Sequence, residues 1–455
     1  MPKCIIDGRE AEFSVGENIV DIAKRIGVSI PVFCYHPGLS VVAQCRMCTV
    51  EVEKMGKLQT GCSTPATDGM VIHTNSQKVL DARQSTMEFL LVNHPLDCPI
   101  CDKSGECDLQ DYSFEHGSQY SRYTEERRTY VDLDMGPVIQ KNMNRCIHCT
   151  RCIRFADEIA KLPEMVAMQR GNATEITTAD GRPLETDYAG NYSDICPTGS
   201  LTLKDFRFHK RAWFLKKTPT ICAGCSRGCS IELQTHDDHV YRIIPRENQA
   251  VNQYWMCDEG RFMYHAYQEE SRLCVPWFDG QELAWQEALQ QLRAKMTGAL
   301  FLVATDLTHE EVDAVSQLAQ FYGAQLLAFG SDTDADYDAI LRRTNMAANF
   351  HGLKRRGLSW YAGQKAELVI IVRAGRTKLP QLGETPWVGM GVFWEKEKTP
   401  SCQGILPGLS YLEKNGTVTN FQGTDQALKQ AVAVPGMCRS VPEIVMQWMH
   451  GGERG

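Results

Sequence analysis

The chain opens with short apolar runs broken by turn residues. Cys4-Ile5-Ile6 and Ala11-Glu12-Phe13 flank Asp7-Gly8, which predicts a β-hairpin over residues 3–13. Ile19, Ile22, Ala23 and Ile26 then recur near helical spacing before Gly27, so residues 17–27 read as a short helix. A loop carrying Cys34 follows, and Thr49–Val52 alternates like a strand. Hairpin, helix and loop together predict a small β-grasp domain over residues 1–78. Residues 79–115 read as mainly helical.

Beyond residue 275 the pattern changes. Ala299–Val303, Gln325–Phe329 and Leu368–Val372 are apolar runs of the kind buried in parallel sheets. Val312, Val315, Leu318, Ala319 and Tyr322 mark a helix over Thr308–Tyr322. Strands alternating with a helix predict an α/β layer. There is no P-loop and no GxGxxG, and Gly389-Met390-Gly391 alone is too weak a signal for a nucleotide site.

With 43% hydrophobic and 23% charged residues, 455 residues suit a multidomain globular protein. A net charge of −8 argues against a general nucleic-acid binder. The basic aromatic stretch Arg207–Lys217 reads as a linker or subunit contact rather than a nucleic-acid or membrane patch. The start of the chain has no apolar signal-peptide core, and no apolar run reaches the ~18 residues of a membrane span.

Nineteen cysteines without a secretion signal point to metal ligation rather than disulfides. Fifteen of them, with one histidine, form four sets of four. The first is Cys34, Cys45, Cys48 and Cys62, spaced C-x10-C-x2-C-x13-C, a longer-looped relative of the plant-type ferredoxin loop. Here Cys45 and Cys48 are expected to grip one iron, with Cys34 and Cys62 approaching from either side; a zinc ribbon is the alternative. The second offers only Cys98, Cys101 and Cys107, so His94 is the candidate fourth ligand, against the plainer reading of a surface or core histidine. The third, Cys146, Cys149 and Cys152 with the remote Cys196, has the CxxCxxC of bacterial ferredoxins. Ala156 stands where a two-cluster ferredoxin has its next cysteine, so one cubane is expected. The fourth, Cys222, Cys225, Cys229 and Cys257, is too tight for the paired pairs of a zinc finger and fits a cubane better. Cys4, Cys274, Cys402 and Cys438 stand alone in the sequence and read as small buried apolar residues.

Several long phrases carry a resemblance over residues 1–260: Cys34-Tyr35-His36-Pro37, Cys45-Arg46-Met47-Cys48, His94–Cys101, Cys146–Arg154 and Ile195–Gly199. In this order they resemble the large iron–sulfur subunit of respiratory complex I, the 75-kDa subunit family. The resemblance implies a [2Fe–2S] cluster in the first set and [4Fe–4S] clusters in the other three, the second His-ligated. It implies an electron relay from a partner flavoprotein carrying FMN and oxidising NADH toward a quinone module. Other peripheral-arm subunits would be partners, with the membrane arm reached indirectly. The chain would be cytoplasmic, peripheral on the inner membrane through the complex.

The region after residue 220 resembles the start of molybdopterin oxidoreductases, formate dehydrogenases included. Three departures argue against catalysis. Glu259 stands where active relatives usually carry Lys, only about 195 residues follow, and no metal-ligating Cys or Ser is evident. Leu412–Gln426 still resembles that family's cofactor-proximal segment and is read as a relic.

The expected fold is therefore α+β and α/β, in five domains. They are a β-grasp [2Fe–2S] domain at 1–78, a His/Cys [4Fe–4S] domain at 79–118 and a bacterial-ferredoxin-like domain at 119–217. A molybdopterin-oxidoreductase-type [4Fe–4S] domain at 218–275 and a truncated α/β domain at 276–455 complete the chain. No catalytic residue and no molybdopterin are expected in it. The competing readings are the same relay in an NAD-linked formate dehydrogenase or hydrogenase, and a zinc-stabilised scaffold.

Overall fold

The computed structural model describes residues 1–450, which form two compact units, Met1–Phe214 and the chain from Leu215 onward.

The first unit begins with the predicted hairpin, Lys3–Ile6 against Arg9–Glu12. Asp7 and Gly8 both have positive φ (45° and 80°), as a two-residue hairpin turn requires. The sheet has five strands, ordered Arg9–Glu12, Lys3–Ile6, Val71–His73, Thr49–Val52 and Gln59–Thr60. The helix is shorter than the periodicity suggests, Ile19–Arg25, because Asn18 caps it by accepting the Asp21 N–H at 3.0 Å. Ile19, Ile22 and Ala23 pack against Ile6, Phe13, Val50 and Ile72 to close the core.

Residues 79–115 are less helical than expected. Helices Gln77–Leu91 and Asp108–His116 flank an irregular loop that carries His94, Cys98, Cys101 and Cys107. A three-stranded sheet, ordered Leu201–Leu203, Ile139–Lys141 and Leu133–Asp134, supports the third set. Helix Arg151–Arg154 runs into a π turn at Phe155–Ile159, and helix Gly190–Ile195 ends at Cys196. The stretch Arg207–Lys217 is not a bare linker. Arg211 donates to the Cys101 carbonyl at 2.6 Å, and Lys216 and Lys217 open a strand of the second unit.

That second unit starts with an antiparallel sheet, Lys216–Ile221, Ser230–His236 and His239–Pro245. The first three cysteines of the fourth set sit in its 222–229 connection, which Cys222 N–H to Cys229 O closes at 2.8 Å. A seven-stranded sheet follows. Ala299–Ala304, Gln325–Phe329, Leu368–Arg373, Trp387–Gly391 and Cys402–Pro407 run parallel, and Trp277–Phe278 with the edge strand Gln281–Glu282 adds an antiparallel pair. Apolar clusters cover both faces of this sheet. Helices His309–Phe321 and Val441–His450 meet on one face, where Trp448 Nε1 donates to the Tyr322 hydroxyl at 3.0 Å. Gly389-Met390-Gly391 lies inside a fully buried central strand, so its glycines serve backbone packing.

Candidate cluster-binding sites

The first set sits in the 33–48 loop beside the five-stranded sheet and reaches Cys62 just past the edge strand. Its thiols form two pairs. Cys48 and Cys62 lie Sγ to Sγ at 3.3 Å, and the Cys34 N–H points to Cys45 Sγ at 3.5 Å. Within each pair a thiol hydrogen bond pushes one group down (Cys45, Cys48) and the other up (Cys34, Cys62). Cys45 is thus paired with Cys34 and Cys48 with Cys62. The two CxxC residues face different partners, because Arg46 takes a left-handed turn (φ 63°) between them.

The second set is the loosest. Cys101 and Cys107 are buried, while Cys98 is exposed. Burial pushes the Cys107 thiol up to about 12 and the His94 ring down to about 4, leaving a neutral imidazole. His94 Nδ1 is buried without a hydrogen-bond partner among the described residues. Its ring lines a cavity with Asn144, Cys146 and His148. A buried neutral imidazole with an unmatched nitrogen has the chemistry of a ligand.

All four thiols of the third set line one enclosed cavity, with Lys141, Met165 and Ile176 among its walls. Burial pushes Cys146 up to about 12 and Cys149 up to about 11, and raises Cys152 well above the ordinary thiol value. Cys146, Cys149 and Cys152 cannot all ionise together in an apolar cavity, but a cationic iron core would hold them as thiolates. Lys141 places a buried cation at this wall. The His148 N–H points to Cys146 Sγ at 3.4 Å.

In the fourth set, Cys222, Cys225, Cys229 and Cys257 likewise line one cavity, beside Met256 and Gly260. A Cβ on Gly260 would stand 3.0 Å from Cys222 Sγ and 3.4 Å from Cys257 Sγ, so only glycine leaves the thiols room. Cys257 caps helix Asp258–Phe262, accepting the Gly260 N–H at 3.4 Å. Desolvation raises all four thiols. Among the described residues, no group of three or more His, Cys, Asp or Glu side chains is placed to hold a single metal ion.

Sequence reading missed the basic residues between the sets. One apolar cluster contains Cys34, Cys107 and Cys149, a thiol from each of the first three sets, together with Phe33, Met47 and Met87. Arg154 donates to the carbonyls of Cys34 (2.5 Å) and Cys149 (3.3 Å). Arg151 donates to those of Tyr35 (2.7 Å) and Ile195 (3.1 Å). Arg145 holds Asp97 at 2.9 Å, joining the second and third loops. The available signal was charge inside the CxxCxxC helix, where exposed arginines are the ordinary expectation.

Around the fourth set, Glu259 lies between Arg342 (3.1 Å) and Arg376 (2.6 Å). Leu412–Gln426 folds onto the cysteine loop. Phe421 N–H bonds to Ser226 O at 2.8 Å, and Gln426 Nε2 to Gly228 O at 3.0 Å. Cys4 and Cys402 are buried core residues as expected, but Cys274 and Cys438 do not stand alone: their thiols share a hydrogen bond.

Five family descriptions match along the chain. "2Fe-2S iron-sulfur cluster binding domain" matches residues 3–77, and "NADH-ubiquinone oxidoreductase-G iron-sulfur binding region" matches 83–122. "NADH-quinone oxidoreductase subunit 3, ferredoxin-like domain" matches 136–202. "Molybdopterin oxidoreductase Fe4S4 domain" matches 215–268, and "Molybdopterin oxidoreductase" matches 385–447. The chain is 44% identical to an NADH-quinone oxidoreductase subunit of Rickettsia felis over 300 residues, 65% of this chain and 45% of that protein. It is 44% identical to the NADH-ubiquinone oxidoreductase 75 kDa subunit of Reclinomonas americana over 264 residues, 58% of this chain and 38% of that one. It is 39% identical to the mitochondrial NADH-ubiquinone oxidoreductase 78 kDa subunit of Neurospora crassa over 358 residues, 76% and 48%. The resemblance carried by the cysteine phrases therefore holds, and the matched stretch is less than half the length of each of these relatives.

Proposed function

We propose that this chain is the iron–sulfur electron-transfer subunit of a bacterial NADH:quinone oxidoreductase, relaying electrons from a flavin-bearing, NADH-oxidising partner toward a quinone module. The observation that carries this reading is the single apolar cluster in which thiols of three cysteine sets meet, cross-linked by Arg154 and Arg151. A scaffold needs no such convergence, whereas a relay needs short gaps between its centres.

On this reading Cys34, Cys45, Cys48 and Cys62 hold a [2Fe–2S] cluster. His94 with Cys98, Cys101 and Cys107 holds a [4Fe–4S] cluster, as do Cys146, Cys149, Cys152 and Cys196, and Cys222, Cys225, Cys229 and Cys257. Bound clusters supply reversible one-electron chemistry. The chain's own residues bury the thiols, exclude water and set local charge. N–H groups of His148, Gly224 and Gly260 point at Cys146, Cys222 and Cys257 sulfurs at 3.4 Å, where they favour the more negative state of the site.

The C-terminal α/β region is read as holding no molybdopterin. Glu259, which lines the cavity of the fourth set, is engaged by Arg342 and Arg376, and Lys414 is paired with Glu311 at 2.7 Å. Among the described residues no helix is long and apolar enough to cross a membrane, and attachment to the membrane is assigned to partner subunits.

The test is iron, sulfide and EPR analysis of anaerobically purified protein. One binuclear and three cubane clusters amount to about 14 iron and about 14 sulfide per chain. Predominant zinc would leave only the scaffold reading, and stoichiometric molybdenum or tungsten with pterin would move the chain to the formate dehydrogenases.

A further inference from the structure

Cys274 and Cys438 are 164 positions apart in the second unit and belong to no cluster set. The fold brings their segments together. The Met437 N–H bonds to the Cys274 carbonyl at 2.8 Å, and a Cβ on Gly436 would lie 3.0 Å from Cys274 Cβ. The two thiols share a hydrogen bond. An S–S bond needs Cβ atoms about 3.5–4.5 Å apart, a separation within reach of side chains on segments packed this closely.

We propose that Cys274 and Cys438 form a reversible intramolecular disulfide by exchange with low-molecular-weight disulfides, a redox-modification site separate from the cluster cysteines.

The two thiols are differentiated as such exchange requires. Cys274 is half-buried and reachable from solvent, whereas Cys438 is buried. The Cys438 hydrogen bond and the nearby Arg272 guanidinium pull Cys274 down to about 7 against the opposing effect of burial, and donating that bond pushes Cys438 up. Arg272 is itself buried by its bond to Glu413 at 2.7 Å, and its Nε has no hydrogen-bond partner among the described residues. A fixed cation beside a thiol favours the thiolate, the attacking species.

The step balances without any cluster. Cys274 thiolate attacks one sulfur of RS–SR, forming the mixed disulfide Cys274–S–S–R and releasing RS⁻. Cys438 then gives its proton to RS⁻ and attacks Cys274 Sγ, forming the Cys274–Cys438 bond and expelling the second RS⁻. Two protein thiols are oxidised, and one small disulfide is reduced to two small thiols. The bond would tether the segment before helix Val441–His450 to the segment before strand Trp277–Phe278, closing a long loop and stabilising the unit.

The test uses the full, cluster-loaded chain under anaerobic conditions, incubated with oxidised glutathione at pH 7.5 and then alkylated and digested without reductant. Mass spectrometry should find a linked peptide pair holding Cys274 and Cys438, reversed by dithiothreitol, with Cys4 and Cys402 unlinked. The apparent melting temperature should rise by about 5 °C. Cys438→Ser should stop the reaction at a glutathione adduct on Cys274. Full alkylation of both thiols after oxidant, linkage of Cys274 to any other cysteine, or a Cys438→Ser chain free of adduct at Cys274 would overturn the proposal.

Discussion

Arg154 donates Nη2 to the main-chain carbonyl of Cys34 at 2.5 Å, tying the helix of the third cysteine module to the loop of the first. The same nitrogen reaches the Cys149 carbonyl at 3.3 Å, and Nη1 bonds to the Ser40 carbonyl. One buried guanidinium thus fixes two thiol-bearing loops relative to each other.

Replacing Arg154 tests that cross-link. Arg154→Ala leaves these carbonyls without their donor, at about 1–3 kcal/mol for each that stays buried. Arg154→Lys keeps the charge but loses the planar fork. We expect melting temperature to fall in the order wild type, Lys, Ala, with the first-site EPR signal lost earliest on heating. Equal melting of all three proteins would show that the bonds are incidental.

His94 is tested by its charge. Its ring is neutral and buried, so His94→Cys adds one thiolate charge and should lower the potential of the second site while keeping a cubane. His94→Ala should weaken or abolish that site's EPR signal. Potentiometric EPR titration reads both, and an unaltered signal and potential in the alanine variant would remove His94 from the ligand set.

Glu259 should set the potential of the fourth site. It lines the cavity of those thiols and is held by Arg342 and Arg376. Glu259→Gln removes a negative charge there, which favours the reduced state, so the potential should rise. A redox titration showing a fall or no shift would mean that the arginines, not the carboxylate, dominate the local field.

The Arg272–Glu413 pair is almost fully buried, at 3% and 4% side-chain exposure. Glu413→Gln strands the guanidinium and should cost about 3–5 kcal/mol, while Arg272→Met with Glu413→Leu should recover much of that. Chemical denaturation followed by tryptophan fluorescence measures both variants. Equal losses in the single and double variants would contradict a desolvated ion pair.

Much of the site was legible because cluster ligands obey local spacing. Cys146, Cys149 and Cys152 lie within a turn or two of each other, so the sequence nearly dictates that they share a cavity. The hairpin was legible for the same reason: Asp7-Gly8 carries its conformation in its own residues. The apolar runs at 299–304, 325–329 and 368–373 announced buried parallel strands. Trp387–Gly391 and Cys402–Pro407 did not, because glycines and a cysteine dilute the β-branched pattern and only neighbouring strands define their place.

The sequence by itself determined the four cysteine-rich sets, their order, the hairpin at one end and the α/β character of the other. All of these follow from residue type and from separations of a few residues. Only the tertiary structure decided that Cys48 meets Cys62, that Arg154 spans Cys34 and Cys149, and that Leu412–Gln426 covers the fourth loop. It also decided that Cys274 meets Cys438. The reason is that contacts between separate segments, 14 residues apart for Cys48 and Cys62 and 120 for Arg154 and Cys34, depend on how whole elements stack. Local periodicity carries the propensity of a segment to form an element. It does not carry which buried donor will find which carbonyl once those elements close on one another.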